Sequence, residues 1–387
     1  MVSLAEVNEC SKLSDKIHMV DLHGQYLNIK EEIDQAITQT ISSSRFIGGP
    51  AVEVFATNLS TYLQTAHVIT CGNGTDALQI ALMALGLQPG DEVILPAFTY
   101  VATAEVIALL GLTPIMADVD IHTFNIKLDG ADKLVTPRTK AIIPVHLYGQ
   151  SSDMSSVMNF AKKHDLFVIE DNAQSVGATC ELEGDKKRTG TIGHIGTYSF
   201  FPSKNLGCYG DGGALSTNDK ALAQRIKMIA SHGQSKKYHH EIIGVNSRLD
   251  SMQAAILDVK LKYLDEYINQ RRKAAAFYDD NLKEINEIEI PVRQKNCTHV
   301  FHQYTLQAEN GRRDQLKQYL ADNNIPTMIY YPLPLYKQVA YQKYVEKGFE
   351  LSNTEQLCQT VLSLPMHTEM SEDTLLYIVN KIKAFFS

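Results

Sequence analysis

The sequence predicts an α/β fold: a mainly parallel sheet of about seven strands flanked by helices, followed by a smaller α+β unit. Three observations carry that prediction. Between residues 67 and 218, short runs rich in Val, Ile, Thr and Phe alternate with helix-like segments. The runs are almost continuously apolar, as strands covered on both faces must be. After residue 246 the apolar residues recur at three and four, the period of long amphipathic helices.

Taken in order, residues 1–18 read as an N-terminal extension with no assignable role, and KEEIDQAITQTI reads as a helix packing against both later units. The strand-like runs are HVITC (67–71), EVILPA (92–97), TPIMADVD (113–120), KAIIPVHLYG (140–149), LFVIEDNA (166–173), GTYSFF (196–201) and GALSTN (213–218). Helical stretches such as TDALQIALMALGL and YVATAEVIALLG lie between them, which implies right-handed crossovers. These elements make a large domain over 19–245 and a small one over 246–387. The small domain is entered by one or two long helices from SRLDSMQAAIL onward. It continues with a strand-like HVFHQYTLQA (299–308), a helix RDQLKQYLADNN, a Pro-rich loop YYPLPLY (330–336) and a closing helix SEDTLLYIVNKIKAFF.

A chain of 387 residues, 44% hydrophobic, can bury two sizeable cores. Its 36 basic and 44 acidic residues give a net charge of −8, which argues against nucleic acid or an anionic membrane as the main partner. The first residues hold no signal-peptide core, and no stretch approaches the ~20 apolar residues of a bilayer span. Six cysteines (Cys10, Cys71, Cys180, Cys208, Cys297 and Cys358) are scattered without a C-x-x-C pair. A disulfide would arise only where folding brings two together. Zinc has no ligand cluster of the usual spacing, no metal site is expected, and a reducing cytosol is the simplest setting.

Three strand ends carry candidate chemistry. In CGNGTDALQ, a Gly-x-Gly turn leads through Gly74 and Thr75 into a helix, where free amides and the helix dipole make an anion site. A plain helix cap supplied by Thr75 or Asp76 is the alternative. In VIEDNAQS, Asp171 and Gln174 close an apolar strand, so a buried carboxylate needs a cationic partner: an ordinary Arg or Lys, or a protonated cofactor ring nitrogen. In SFFPSKNLGCYGDGGALS, Lys204 follows an apolar strand and precedes a Gly-rich segment, surroundings that lower an amine's pKa as a Schiff-base lysine requires. Read together and in this order, the three specify a pyridoxal 5′-phosphate site.

The same wording, GNGTDALQIALMALGLQPGDEVILPAFTYVATAE through EDNAQSVGA, SFFPSKNLGCYGDGGAL and GVNSRLDSMQAAIL, resembles the DegT/DnrJ/EryC1/StrS sugar aminotransferases from about Met19 onward. The resemblance implies fold-type I and pyridoxal phosphate as cofactor, with pyridoxamine 5′-phosphate as its amino-carrying form. FTYVATAE, RTKAIIPVHLYGQ, HGQSKKYHH and GVNSRLD are most similar to enzymes that aminate a UDP-linked 2-acetamido-3-keto-glucuronic acid for surface polysaccharide. It implies that Lys204 is the catalytic amine, that Asp171 holds the ring nitrogen, and that Gln174 bonds the phenolic oxygen. Gly74, Thr75 and Ser199 would bind phosphate, and Tyr100 and Ala173 would sandwich the ring. Asn246 would reach the phosphate of a neighbouring subunit in a homodimer. Lys204, where dehydrating members carry His, favours amine transfer. The family's His-Tyr-Pro is here Tyr330-Tyr331-Pro332, which puts a histidine's sugar contact in doubt.

Arg248 is the sharpest substrate candidate, since its fork suits the carboxylate of L-glutamate, of its product 2-oxoglutarate or of a uronic acid; an ion pair with an acidic neighbour is the alternative. His232 would assist it or serve as a structural hydrogen-bonding residue. Lys236 to His240 form a basic, aromatic loop suited to a diphosphate or simply to solvent. Three other functions compete: amination of a dTDP-linked 3- or 4-keto-6-deoxy sugar, a non-catalytic regulator, and a nicotinamide oxidoreductase using Gly72, Gly74 and Ala77.

Overall fold

The computed structural model describes residues 16–309 and 311–387; the extension expected over 1–18 falls largely outside these. Three helices, α1 (Leu22–Asn28), α2 (Lys30–Ser43) and α3 (Pro50–Leu63), precede the first strand. The large unit then runs β1 (His67–Cys71), α4 (Gly74–Leu85), β2 (Glu92–Pro96), α5 (Ala102–Leu109), β3 (Thr113–Ala117), β4 (Thr139–Ile142), α6 (Met154–His164) and β5 (Phe167–Asp171). A hairpin of β6 (Thr179–Leu182) and β7 (Asp185–Arg188) leads to β8 (Ile195–Ser199), β9 (Gly213–Thr217) and α7 (Lys220–Ala230).

Seven of these strands form one sheet in the order β1-β9-β8-β5-β4-β2-β3. The pairs from β3 through β8 are parallel, joined by crossovers that bury both faces. Only β9 is antiparallel to its neighbours β1 and β8. It returns from β8 through the 200–212 loop, which contains Lys204, with no crossover helix. The run expected as a strand over 140–149 stops at Ile142 and ends in a 3₁₀ turn at Leu147–Gly149. Pro144 lacks the N–H that would extend the ladder.

The basic segment after α7 folds back as a ribbon of β10 (Gln234–Lys236) and β11 (His239–His240). The expected long helix is two, α8 (Ser251–Leu261) and α9 (Leu264–Leu282). α8 packs with the large unit, its Ala254 and Leu257 among Phe55, Leu59 and Leu63 of α3. The packing therefore changes hands within α9, later than the boundary expected at 246, where Ala274, Ala275 and Tyr278 join the C-terminal core. That core covers an antiparallel sheet of β12 (Ile288–Glu289), β13 (Tyr304–Ala308) and β14 (Val361–Leu364), backed by α10 (Arg313–Asp322) and α12 (Glu372–Phe386). The helix α11 (Ser352–Thr360) precedes β14. Among the described residues no helix is long and apolar enough to cross a membrane, and no cluster of three metal-ligating side chains occurs.

Candidate active site

A cavity of about 840 Å³ opens at the carboxyl ends of the parallel strands, where an open α/β sheet keeps its ligands. Gly74, Thr75, Tyr100, Asp171, Ala173, Gln174, Ser199, Lys204, Tyr330 and Tyr331 all line it.

Its floor is the first turn of α4. The Asn73 side chain caps that helix by accepting from the Asp76 N–H at 2.8 Å, so the capping residue is Asn73 and not Thr75 or Asp76. Asp76 is held instead by the Ser247 hydroxyl at 2.6 Å. A Cβ on Gly74 would lie 2.6 Å from the Ser199 Cβ. Glycine alone lets the helix N-terminus approach the end of β8 this closely, and a hydroxyl then joins the free amides in one cradle for a dianion.

Asp171 ends β5 on the pocket side. Thr103, in the first turn of α5, donates to its Oδ2 at 2.8 Å, and the Ala173 N–H donates to Oδ1 at 3.2 Å. Burial pushes its carboxyl above the usual range, against those two hydrogen bonds and the charge of Lys204. The preceding Glu170 faces the other way, where Gly190, Ile192 and Gly193 N–H groups and His146 Nε2 satisfy it. A strand's alternation thus separates one structural carboxylate from one that faces a ligand.

Lys204 turns inward from the β8–β9 loop, its N–H bonded to the Phe201 carbonyl at 2.8 Å. Burial lowers its ammonium to about 8; Asp171 opposes this only through space. Gln174 accepts from the Tyr148 N–H at 2.7 Å, which turns its amide nitrogen toward the Tyr331 hydroxyl at 3.3 Å. Tyr100 is 58% exposed at the mouth, its ring centroid 6.3 Å from that of Tyr331.

Three expected residues do not line this pocket. Asn246, Arg248 and His232 are exposed on the strip where Ser231 bridges Asn246. Ser247 turns inward toward Gly72 and Asp76, so its chain neighbours Asn246 and Arg248 point outward on the single chain. The 236–240 segment is exposed as well.

Sequence reasoning missed Thr103, Tyr148, His302 and Gln303. The last two had a signal, a polar pair interrupting the apolar run HVFHQYTLQA. That run is a strand only from Tyr304, and the irregular part before it delivers both side chains to the pocket wall. Burial, with the charges of Lys204 and Arg271, holds His302 far below the usual imidazole range.

A profile of the DegT/DnrJ/EryC1/StrS aminotransferase family matches residues 27–383. The chain belongs to this family. A "pleiotropic regulatory protein" of Geobacillus stearothermophilus is 46% identical over 96% of this chain and 98% of its own length. The UDP-2-acetamido-2-deoxy-3-oxo-D-glucuronate aminotransferase of Pseudomonas aeruginosa is 45% identical over 91% and 95%. A dTDP-3-amino-3,4,6-trideoxy-alpha-D-glucose transaminase of Streptomyces venezuelae is 37% identical over 95% and 96%. Among solved structures, NtdA of Bacillus subtilis with bound PMP cofactor superposes with a TM-score of 0.86 at 32% identity, covering 96% of this chain and 87% of NtdA. The DegT-family chain described here is thus a pyridoxal phosphate-dependent sugar aminotransferase. Its pocket fits the cofactor: an anion cradle that a side chain on Gly74 would fill, a buried carboxylate with no cation at bonding distance among the described residues, and a desolvated amine.

Proposed function

We propose that the enzyme transfers the amino group of L-glutamate to the 3-keto carbon of a UDP-linked 2-acetamido-2-deoxy-3-oxo-glucuronic acid, feeding diacetamido-uronic acid into surface polysaccharide. The observation that carries the amine-transfer chemistry is Lys204, an amine lowered to about 8 and facing Asp171 in one pocket. The choice of sugar rests on the 45% identity to the uronate aminotransferase. A dTDP-linked keto-6-deoxy sugar is the second reading, supported by the dTDP-sugar relative.

In this reading the first turn of α4, with Gly74, Thr75 and Ser199, would hold the phosphate, and Tyr100 and Ala173, which line the same cavity, would contact the ring. Asp171 holds a proton on the ring nitrogen, and the resulting ion pair offsets the burial that raises its carboxyl. Gln174, oriented by Tyr148, donates to the ring's phenolic oxygen. When bound, the cofactor supplies an electrophilic carbon and an electron sink. The uncharged Lys204 Nζ would hold the cofactor and move the proton at the reacting carbon of donor and sugar. Tyr330 and Tyr331 close the sugar side.

Asn246, Arg248 and His232, exposed on their own chain, serve the pocket of a second copy in a cytoplasmic homodimer. The exposed Phe46 and Ile47 lie beside this strip, with Ile47 bridging Asp250, and offer an apolar surface to bury there.

Amination with glutamate of a panel of UDP- and dTDP-ketosugars, read by mass spectrometry, tests the reading. Product from the UDP-uronic acid is expected. Turnover of dTDP-sugars alone would replace the first reading with the second.

A further inference from the structure

Two of the scattered cysteines meet. Cys180 of β6 and Cys297, 117 residues apart, have sulfurs 2.8 Å from each other, only ~0.8 Å beyond an S–S bond. They face one another across an isolated antiparallel bridge. The flanking hydrogen bonds run from Thr298 N–H to the Thr179 carbonyl (2.8 Å) and from Glu181 N–H to the Asn296 carbonyl (2.7 Å). Cys180 and Cys297 are therefore a non-hydrogen-bonded cross-strand pair, the closer of the two kinds, with backbones spaced as a disulfide needs. Cys180 is buried and Cys297 half-buried, so a small oxidant has a way in.

We infer that Cys180 and Cys297 are an oxidation site that closes reversibly into an intramolecular disulfide, tying the β6–β7 hairpin to the segment that carries His302 and Gln303 into the pocket wall.

The surroundings favour the reaction. The sulfur–sulfur hydrogen bond holds the Cys180 thiol below the usual range, with the Ser151 hydroxyl and the Met154 N–H at the start of α6 acting the same way, while Cys297 is raised. With hydrogen peroxide as oxidant, the Cys180 thiolate takes one oxygen and becomes a sulfenic acid. The released hydroxide leaves as water with the proton the thiol lost. Cys297 then attacks the Cys180 sulfur, the S–O bond breaks, and a second water departs with the Cys297 proton. Two S–H bonds become one S–S bond, and the two electrons end in the two waters. Glutathione or another thiol reverses it, so in a reducing compartment the pair rests as thiols. The segment it would pin is already seated by Val300 N–H on the Gly149 carbonyl (2.8 Å) and by Asn205 Nδ2 on the Val300 carbonyl (2.9 Å), next to Lys204.

The cofactor-loaded enzyme, treated with hydrogen peroxide, quenched and unfolded, should lose two of its six titratable thiols. Peptide mapping should recover a cross-linked pair containing Cys180 and Cys297, and dithiothreitol should restore all six. C180S and C297S should each abolish that cross-linked peptide. Six surviving thiols at peroxide doses that oxidise free glutathione would overturn the inference. So would sulfinic acid on either cysteine in place of the cross-link, or a bridge between chains. None of these readouts depends on which sugar is aminated.

Discussion

Lys204 and Asp171 are both pushed toward their neutral forms by burial, in opposite directions on the pH scale. Only the lysine's shift directly serves nucleophilicity. Below about pH 8 its amine is protonated and inert, and above it the amine is free. The rate at which cofactor-free enzyme takes up pyridoxal phosphate should therefore rise between pH 7 and 9 with a midpoint near 8, followed by absorbance. K204A should lose amination by at least about 10²–10⁴-fold and lose the borohydride-sensitive visible band while keeping its fold. Asp171 must be ionised to meet a protonated ring, and the Thr103 hydroxyl is what opposes its upward shift most. T103V should weaken cofactor binding by about tenfold or more and move its acid limb to higher pH, read by fluorescence titration.

Helix α4 and loop 200–212 explain why the anion cradle and the amine converge: both leave the sheet at the same edge, around the antiparallel β9. Their closest approach is Gly74 against Ser199. G74A should force the helix start away at a cost of ~1–3 kcal/mol, with cofactor affinity falling at least tenfold and circular dichroism unchanged. Strand β5 makes a different point. Its last two residues are both acidic, yet Glu170 is satisfied by backbone amides while Asp171 keeps acceptor capacity toward the cavity.

Asn246, Arg248 and His232 are exposed outside the pocket lining of their own chain, and in the proposed dimer a second copy is what would bring them to a pocket. Mixing inactive K204A with inactive N246A should then recover activity, up to about a quarter of wild type. Random dimers are half heterodimers, and each heterodimer rebuilds one of its two sites. No recovery after subunit exchange would confine each site to one chain. R248A separates the substrates: loss of sugar amination with the glutamate half-reaction intact would favour a uronic acid, and loss of the glutamate half-reaction alone would favour a sugar without a carboxylate.

Much of this was legible in order along the chain. Apolar runs separated by helices predicted the parallel sheet, because a strand buried on both faces leaves polar residues only at its ends, and those ends held Gly74, Asp171 and Lys204. Tertiary structure alone decided that Thr103 supports Asp171 and that Tyr148 aims Gln174. It also turned Arg248 outward and brought Cys180 to Cys297. Local pattern records which face of an element is apolar; contacts across tens of residues or more depend on how whole elements dock, and no window of sequence contains both partners.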